Sequence, residues 1–412
     1  MQWLKYCRRK ITAKRQCLDN LSVANWEGFL KLLIIQPSPF CNLNCDYCYL
    51  PDRLDTRKMD LSTLDVAARK IFGANLPGSF LSVVWHAGEP LTVSREWYVA
   101  AFKILANFCP PSTKLIHNFQ TNGVLIDGDW VSFFREHDIR VGISLDGPAW
   151  LHDKHRHTWD AQATHAKVMR GIDFLQKADF PFHVICVLTR DSLNHAEEVL
   201  NFFSEVQPVQ LCFNIEEIES AHRSSSLAED VKDTELAYRL FMSKILDQLR
   251  FRGYGANSRQ ENSKGMMRIR EIDEVLASLR HPEFGLFGGN AQNLPGHIIS
   301  IAWDGRYTTF SPELLGQTWP NGDELALGNL LLDTLPPSQD NVNYSKQCSA
   351  IQQGIDRCKS ECEYFNLCLG GAPANKLAEN GGFETSETLF CKLTKKILID
   401  VVLESLEKDL PN

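Results

Sequence analysis

The chain has 412 residues, 44% hydrophobic and 23% charged, with a formal net charge of -8, which is long enough for a large core and for two or three units of about 150 residues, or fewer if one is an α/β barrel. This balance excludes a disordered chain and argues against a general nucleic-acid binder, which needs clustered Lys and Arg against phosphate. No apolar run reaches the ~18 residues of a spanning helix, and the basic N-terminus lacks the apolar stretch of a signal peptide, so a cytoplasmic protein with no membrane or nucleic-acid partner is expected.

Residues 1–29 form a basic extension in which Lys5, Arg8, Arg9, Lys10, Lys14 and Arg15 are accompanied by no acid up to residue 16. They suit either a solvated end or an arm for an acidic peptide. From 30 to 225, apolar β-branched runs alternate with amphipathic ones. The strands are "LKLLIIQ" (30–36), "LSVVWHAG" (81–88), "TKLIHNFQT" (113–121), "IRVGISLDG" (139–147), "FHVICVLT" (182–189) and "VQLCFNI" (209–215), and helical patterns fall at 61–72, 96–108, 164–176 and 195–206. Repeated strand-helix units predict parallel strands with right-handed crossovers, and strands apolar enough for burial on both faces predict a partial (β/α)6 barrel within an α/β fold.

Residues 226–296 read as a helical bridging region, with helices at 229–252 and 266–281. In the last unit, 297–412, "HIISIAWDGRYTTFSP" carries Asp304-Gly305 between β-rich runs, a hairpin signal. Leu393, Ile397, Val401 and Leu406 mark an amphipathic C-terminal helix.

The 13 cysteines concentrate between Cys41 and Cys48 and between Cys348 and Cys391. In a reducing compartment this points to metal or redox chemistry rather than disulfides. The first group, in "PFCNLNCDYCYLPDR", spaces Cys41, Cys45 and Cys48 as C-x3-C-x2-C. Structural zinc wants four ligands, whereas three thiolates on a four-iron cube leave one iron open. Directly after the first strand, with Tyr47 before the last cysteine, this spacing resembles the defining motif of the radical S-adenosyl-L-methionine (SAM) enzymes.

The resemblance implies a 4Fe-4S cluster on Cys41, Cys45 and Cys48 whose open iron chelates SAM, so that reductive cleavage yields a 5'-deoxyadenosyl radical. Such sites lie at the C-terminal ends of barrel strands, where the triplet falls. "WHAGEP" resembles the family's Gly-Gly-Glu-Pro motif, with Ala87 in place of the first glycine. Gly88 would let the backbone approach SAM, and Glu89 would accept from its ammonium group. "SLDGP" resembles the ribose-contact strand, which makes Ser144 and Asp146 candidates for SAM contacts. Arg156 is a candidate for the SAM carboxylate, and Tyr47 joins the cofactor-binding set. An ordinary Asp-Gly turn at Asp146 and a solvated loop at Arg156 are the competing readings.

In the second group, Cys358-x3-Cys362-x5-Cys368-x22-Cys391 offers four thiolates, enough for a closed 4Fe-4S cluster or for zinc. Cys391 is expected at the start of the final helix, where the dipole favours a thiolate. The region resembles a shortened SPASM domain. Phe310 with Ser311, and Ala372, stand where cysteines are common, which implies one auxiliary 4Fe-4S cluster, with Cys348 a spare ligand. Cys186 and Cys212 read as buried hydrophobes, Cys109 as a helix end, and Cys7 and Cys17 as part of the basic extension.

Together with "NIEEIES" and "TTFSPELLG", "CEYFNLCLGGAPANKLAENGGFETSET" resembles the cyclophane-forming radical SAM/SPASM peptide maturases of the Xye and Grr types. That resemblance implies a ribosomal precursor peptide as substrate and an external flavodoxin- or ferredoxin-like electron donor. The implied reaction joins an aromatic ring carbon to the β-carbon of a residue two positions later. It is a two-electron oxidation, so an acceptor for one electron and one proton is needed. The auxiliary cluster suits the electron, and Glu216, Glu217 and Glu219 are candidates for the proton. The competing readings are another radical SAM oxidation, giving a thioether or formylglycine, and a non-catalytic iron-sulfur or zinc scaffold. Walker A, HExxH and GxGxxG motifs are absent.

Overall fold

The six apolar runs fold as parallel strands β1 (Leu30–Ile35), β2 (Pro77–Trp85), β3 (Lys114–Thr121), β4 (Arg140–Ser144), β5 (Phe182–Leu188) and β6 (Gln210–Ile215), each paired with its neighbour in chain order. This is the expected partial barrel. The computed structural model describes residues 26–251, 267–280, 290–319, 321–338 and 340–408; Cys7, Cys17 and the basic cluster lie outside these residues. The crossovers are α1 (Leu61–Gly73), α2 (Arg95–Phe108), α3 (Gly128–Glu136), α4 (Ala149–His155), α5 (His165–Lys177) and α6 (Ala196–Val206). The short α3 and α4 have no place among the predicted helices. Asp127 caps α3, its side chain accepting from Trp130 N at 2.9 Å, a cap that stabilises so short a helix.

Beyond β6 come α7 (Val231–Phe251), the two-residue β7 (Arg268–Ile269) parallel to β6, and α8 (Arg270–Arg280). The predicted hairpin forms as β8 (Ile298–Ile301) and β9 (Arg306–Thr309), with β10 (Gly328–Asn329) antiparallel to β9. Its first strand lies parallel to β1. The sheet therefore has ten strands in the order β10-β9-β8-β1-β2-β3-β4-β5-β6-β7, and the hairpin continues the barrel sheet. The chain then forms α9 (Val342–Glu361), α10 (Phe365–Cys368) and α11 (Pro373–Asn380). A helical turn (Leu389–Cys391) and a π-helical segment (Lys392–Ile397) lead into α12 (Leu398–Glu407). Among the described residues no helix is long and apolar enough to cross a membrane.

An aromatic layer sets the position of the end of β2. Trp85 is fully buried, with its ring 5.3 Å from Tyr98 on α2, which in turn lies 4.7 Å from Phe119 on β3. Each such buried ring contributes roughly 1.5–3 kcal/mol through its apolar area, so the strand end that precedes Ala87 and Gly88 is rigidly seated.

Immediately beyond it the chain turns tightly. Ala87 has φ 68° and Gly88 φ 109°, and Glu89 N donates to Phe40 O at 2.8 Å. A Cβ on Gly88 would lie 2.2 Å from Ser38 O and 3.0 Å from Phe40 O. Both are backbone atoms of the segment that leads into Cys41, so they cannot swing aside. Gly88→Ala is expected to lower stability by about 2 kcal/mol or more, whereas Ala87→Gly relieves a left-handed alanine and leaves stability unchanged or raises it by up to about 1 kcal/mol. Denaturant unfolding of the two variants checks both signs.

Candidate functional site

The loop after β1 crosses the C-terminal ends of the strands and carries Cys41, Cys45 and Cys48, all half-buried. Neighbouring elements fix its backbone. Cys41 N donates to Arg53 O at 2.9 Å, Asn44 N to His157 O at 2.8 Å and Asp46 N to His155 O at 3.0 Å. Trp159 Nε1 donates to Cys41 O at 2.9 Å. The Arg53 guanidinium lies over the Trp159 ring at 5.2 Å and donates to Asn44 Oδ1 at 2.9 Å and Cys45 O at 3.3 Å. From the end of β3, Asn122 Nδ2 donates to Asn42 Oδ1 at 2.7 Å.

Burial pushes the Cys41 thiol up to about 12, helped by the Glu89 charge and by Cys45 and Cys48. Burial likewise pushes Cys45 up to about 11 against the pull of Arg156, with Cys48 adding to the rise. Thiols raised as Cys41 and Cys45 are lose their protons at neutral pH only around a strongly positive centre. Soft sulfur donors fit an iron-sulfur cluster there.

Glu89, 1% exposed, closes the site from β2. Its Oε1 accepts from Leu91 N at 3.0 Å and Thr121 Oγ1 at 2.6 Å, and its Oε2 from Asn122 N at 2.8 Å. Burial pushes its carboxyl up to about 7 despite these donors. A carboxylate has about four acceptor sites, so one remains, on Oε2.

Asp146, beyond β4, has none left. Its Oδ2 accepts from the Tyr47 hydroxyl and from Arg156 Nε at 2.9 Å, and its Oδ1 from Arg156 Nη2 at 3.2 Å and Val187 N at 2.9 Å. Burial would raise this carboxyl, but Arg156, then His152 and the Tyr47 hydroxyl, outweigh it and hold Asp146 below the ordinary carboxylate range. Arg156 Nη1 lies 3.9 Å from Cys45 Sγ, and its guanidinium sits over the Tyr47 ring at 5.2 Å. Ser144 Oγ accepts from Gln120 Nε2 at 3.2 Å.

The structure thus gathers Tyr47, Gly88, Glu89, Asp146 and Arg156 around the cysteine loop, with Ser144 on the same strand end as Asp146. Arg53, Thr121, Asn122 and Trp159 are additions that sequence reasoning missed. The one signal, for Thr121 and Asn122, was "QTNG", polar residues clustered where β3 ends.

The second thiol group assembles from separated segments. Cys358 lies on α9, Cys362 is its C-cap, Cys368 ends α10, and Cys391 sits in a first turn where Thr388 Oγ1 accepts from Cys391 N at 3.1 Å. The expected helix start at Cys391 is present, and the π-helical turn follows it directly, an irregularity frequent at functional sites. Burial raises Cys358 and Cys362 and pushes Cys391 up to about 11, and the Cys368 charge adds to the rise in all three. Cys348 instead lies on α9 against Tyr344.

A cavity of about 340 Å³ adjoins these cysteines. Its lining includes Glu217, Glu219, Glu313, Arg270, Asn375 and Lys395, together with Leu367 and Phe390, the neighbours of Cys368 and Cys391. Asn375 Nδ2 donates to Glu217 Oε2 at 2.6 Å. Burial pushes Glu313 up to about 7; burial, then the Glu217 charge, raises Glu219 well above its ordinary value. Glu313 and Glu219 also act on Tyr49, next in sequence to Cys48, as does Cys48 itself. Glu219 and Glu313 thus line the cavity beside Cys368 and Cys391 and lie within electrostatic reach of Tyr49 in the first loop. Glu216 is occupied elsewhere, accepting from Ser226 N at 2.9 Å and facing His222 Nε2 at 3.3 Å.

Residues 35–203 match the Radical SAM superfamily. A Synechocystis protein, sll1766, is 37% identical over 399 residues, which cover 96% of each chain. A cysteine-type anaerobic sulfatase-maturating enzyme of Clostridium novyi is 25% identical over 380 residues, 89% of this chain and 93% of that protein. Among solved structures, native anSMEcpe with bound AdoMet superposes with a TM-score of 0.71 at 21% identity, covering 92% of this chain and 100% of the other. Streptococcus suis SuiB bound to precursor peptide SuiA superposes at 0.56 with 15% identity, covering 88% and 76%. These two likenesses speak for the fold, in agreement with the barrel and its cysteine loop. With the Cys41, Cys45 and Cys48 loop at the mouth of a partial barrel and the match running through it, the chain belongs to the radical SAM superfamily.

Proposed function

We propose that the protein is a peptide maturase that joins an aromatic ring carbon to the β-carbon of a residue two positions later in a ribosomal precursor, closing a three-residue cyclophane. The observation that carries this reading is the cavity lined by Glu217, Glu219 and Glu313, which adjoins the second thiol group and two of whose acids act electrostatically on Tyr49 beside the first. It supplies a place for a substrate, a radical source on one side and an electron outlet on the other. Relatives named for sulfatase maturation, and a structural neighbour holding a precursor peptide, support a peptide or protein substrate.

Cys41, Cys45 and Cys48 would hold the first 4Fe-4S cluster, which with bound SAM supplies the 5'-deoxyadenosyl radical that removes a hydrogen atom from the β-carbon. Glu89 offers its one free acceptor site to the SAM ammonium group, and Ser144 its hydroxyl to the ribose. Arg156 keeps Nη1 for the SAM carboxylate while its other nitrogens hold Asp146. Asp146, with every acceptor site taken, is a positioning residue for Tyr47 and Arg156. Forming one carbon-carbon bond removes two hydrogens. One leaves as an atom and the other as a proton, so one electron must also leave. Cys358, Cys362, Cys368 and Cys391 would hold one auxiliary 4Fe-4S cluster as its acceptor, and the cavity acids stand where the proton is released. A flavodoxin- or ferredoxin-like partner supplies and collects electrons.

A second reading, oxidation of a serine or cysteine side chain as in sulfatase maturation, is favoured by the similarity to the Clostridium novyi enzyme over 89% of this chain. Product analysis separates the two, because a carbon-carbon link survives thiol alkylation and occurs in a cysteine-free core peptide.

Replacing Cys41, Cys45 and Cys48 together by Ala should abolish formation of 5'-deoxyadenosine and remove about four irons per chain while leaving about four on the second thiol group. Continued SAM cleavage by this variant rejects the first site. Asp146→Asn strands a buried guanidinium and should cost about 3–5 kcal/mol of stability, read by denaturant unfolding, with weaker SAM binding by calorimetry.

Co-expression with the cognate precursor should lower the peptide mass by two hydrogens per ring and suppress fragmentation within an aromatic-initiated three-residue window. Deuterium on the β-carbon of the third residue should appear in 5'-deoxyadenosine, and deuterium on the ring should exchange to solvent. Ring label found in 5'-deoxyadenosine, or an unchanged mass beside active SAM cleavage, would sink the cyclophane reading.

A further inference from the structure

Lys376, on α11, is 3% exposed. Its Nζ donates to Gly354 O at 3.0 Å and lies 3.4 Å from Cys358 Sγ. Gly354, on α9, makes room for it: a Cβ there would lie 3.0 Å from Lys376 Nζ and 2.1 Å from Phe383 O. Among the described residues no carboxylate forms an ion pair with Lys376. Lys396, another cation near these thiols, is bound to Glu387. A buried ammonium without a counter-charge costs several kcal/mol, so the anionic sulfur of Cys358 is its electrostatic partner.

We infer that Lys376 is a redox-tuning residue that raises the reduction potential of the iron-sulfur group on Cys358, Cys362, Cys368 and Cys391, a role that rests on the reading of those thiols as auxiliary-cluster ligands. An electron added to a thiolate-bound cluster increases its negative charge, and a fixed cation donating to one of its sulfurs favours that reduced state. In the electron balance, the oxidised cluster gains the one electron that the cyclised peptide gives up. The matching proton goes to a cavity carboxylate or to solvent, and the electron leaves to the flavodoxin- or ferredoxin-like carrier.

The test uses the full-length Cys41, Cys45 and Cys48 to Ala variant, reconstituted anaerobically, so that the signal comes from the second thiol group alone. Iron content and an EPR-monitored redox titration are compared for Lys376 and for Lys376→Arg and Lys376→Met in that background. At a fixed solution potential Lys376→Met should lower the reduced-to-oxidised ratio about tenfold, equivalent to 59 mV for one electron, while Lys376→Arg stays close to Lys376. A Met variant with full iron and an unchanged potential overturns the inference. If Met prevents cluster assembly, Lys376→Gln is titrated instead; a potential equal to that of the Lys protein overturns it, and a lowered one supports it. Absence of iron from the Lys protein itself would reject the auxiliary-cluster reading, an outcome distinct from an unmoved potential.

Discussion

The buried carboxylate of Asp146 ties together four pieces of chain at the mouth of the barrel, and the geometry of the cysteine loop depends on it. The residue stands beyond β4; Tyr47 brings in the loop, Arg156 brings in the segment after α4, and Val187 N brings in β5. Four donors on one carboxylate leave it nothing to share, and that saturation makes burial tolerable, because an unpaired buried charge costs several kcal/mol. The same guanidinium that neutralises Asp146 reaches toward Cys45 Sγ. Charge pairing and cluster-loop placement are thus one interaction.

Glu89 solves a related problem differently. Among the described residues it has hydrogen-bond donors but no ion-pair partner, and burial lifts its carboxyl toward neutrality. One acceptor site is left over, so an arriving ammonium group supplies both the missing hydrogen bond and the missing charge. Asp146 is a finished structural pair, whereas on the proposed reading Glu89 is completed by a cationic ligand. The difference follows from whether an arginine lies within reach.

Much of this was legible in the chain. β-branched runs of the right length fixed the six parallel strands, and the Cys41-x3-Cys45-x2-Cys48 spacing located the loop, because both signals are local in sequence. The role of Gly88 was only half legible: a glycine at a strand end was expected to admit the cofactor, while the structure shows its missing Cβ admitting the backbone of Ser38 and Phe40. Asn122 and Trp159 escaped because their partners in the loop lie far along the chain, as in the bond from Trp159 to Cys41 O; Arg53 lies close in sequence, but nothing in its position marks a side chain that folds back onto Asn44 and Cys45. No periodicity encodes such contacts. Glu313 lies in "TTFSPELLG", where the resemblance drew notice to Phe310 and Ser311 rather than to the acid, and it reaches the cavity of Glu217 and Glu219 beyond a turn in which Phe310 has φ 82°.

The two thiol groups differ most in how their nearest cations are compensated. At the first, Arg156 is paired with Asp146, which offsets part of its pull on Cys45, and Arg53 adds a weaker one. At the second, Lys376 faces Cys358 without a carboxylate among the described residues. A unit charge at 3.4 Å is worth on the order of 5 kcal/mol at an effective dielectric of about 20, and a neighbouring carboxylate cancels most of it. On the proposed reading, the first site must stay strongly reducing to cleave a sulfonium, and the second must be easier to reduce if it is to draw an electron from a peptide radical. On that reading Lys376, ion-paired to no carboxylate among the described residues, draws the second site toward reduction, whereas at the first the charge of Arg156 is offset by Asp146.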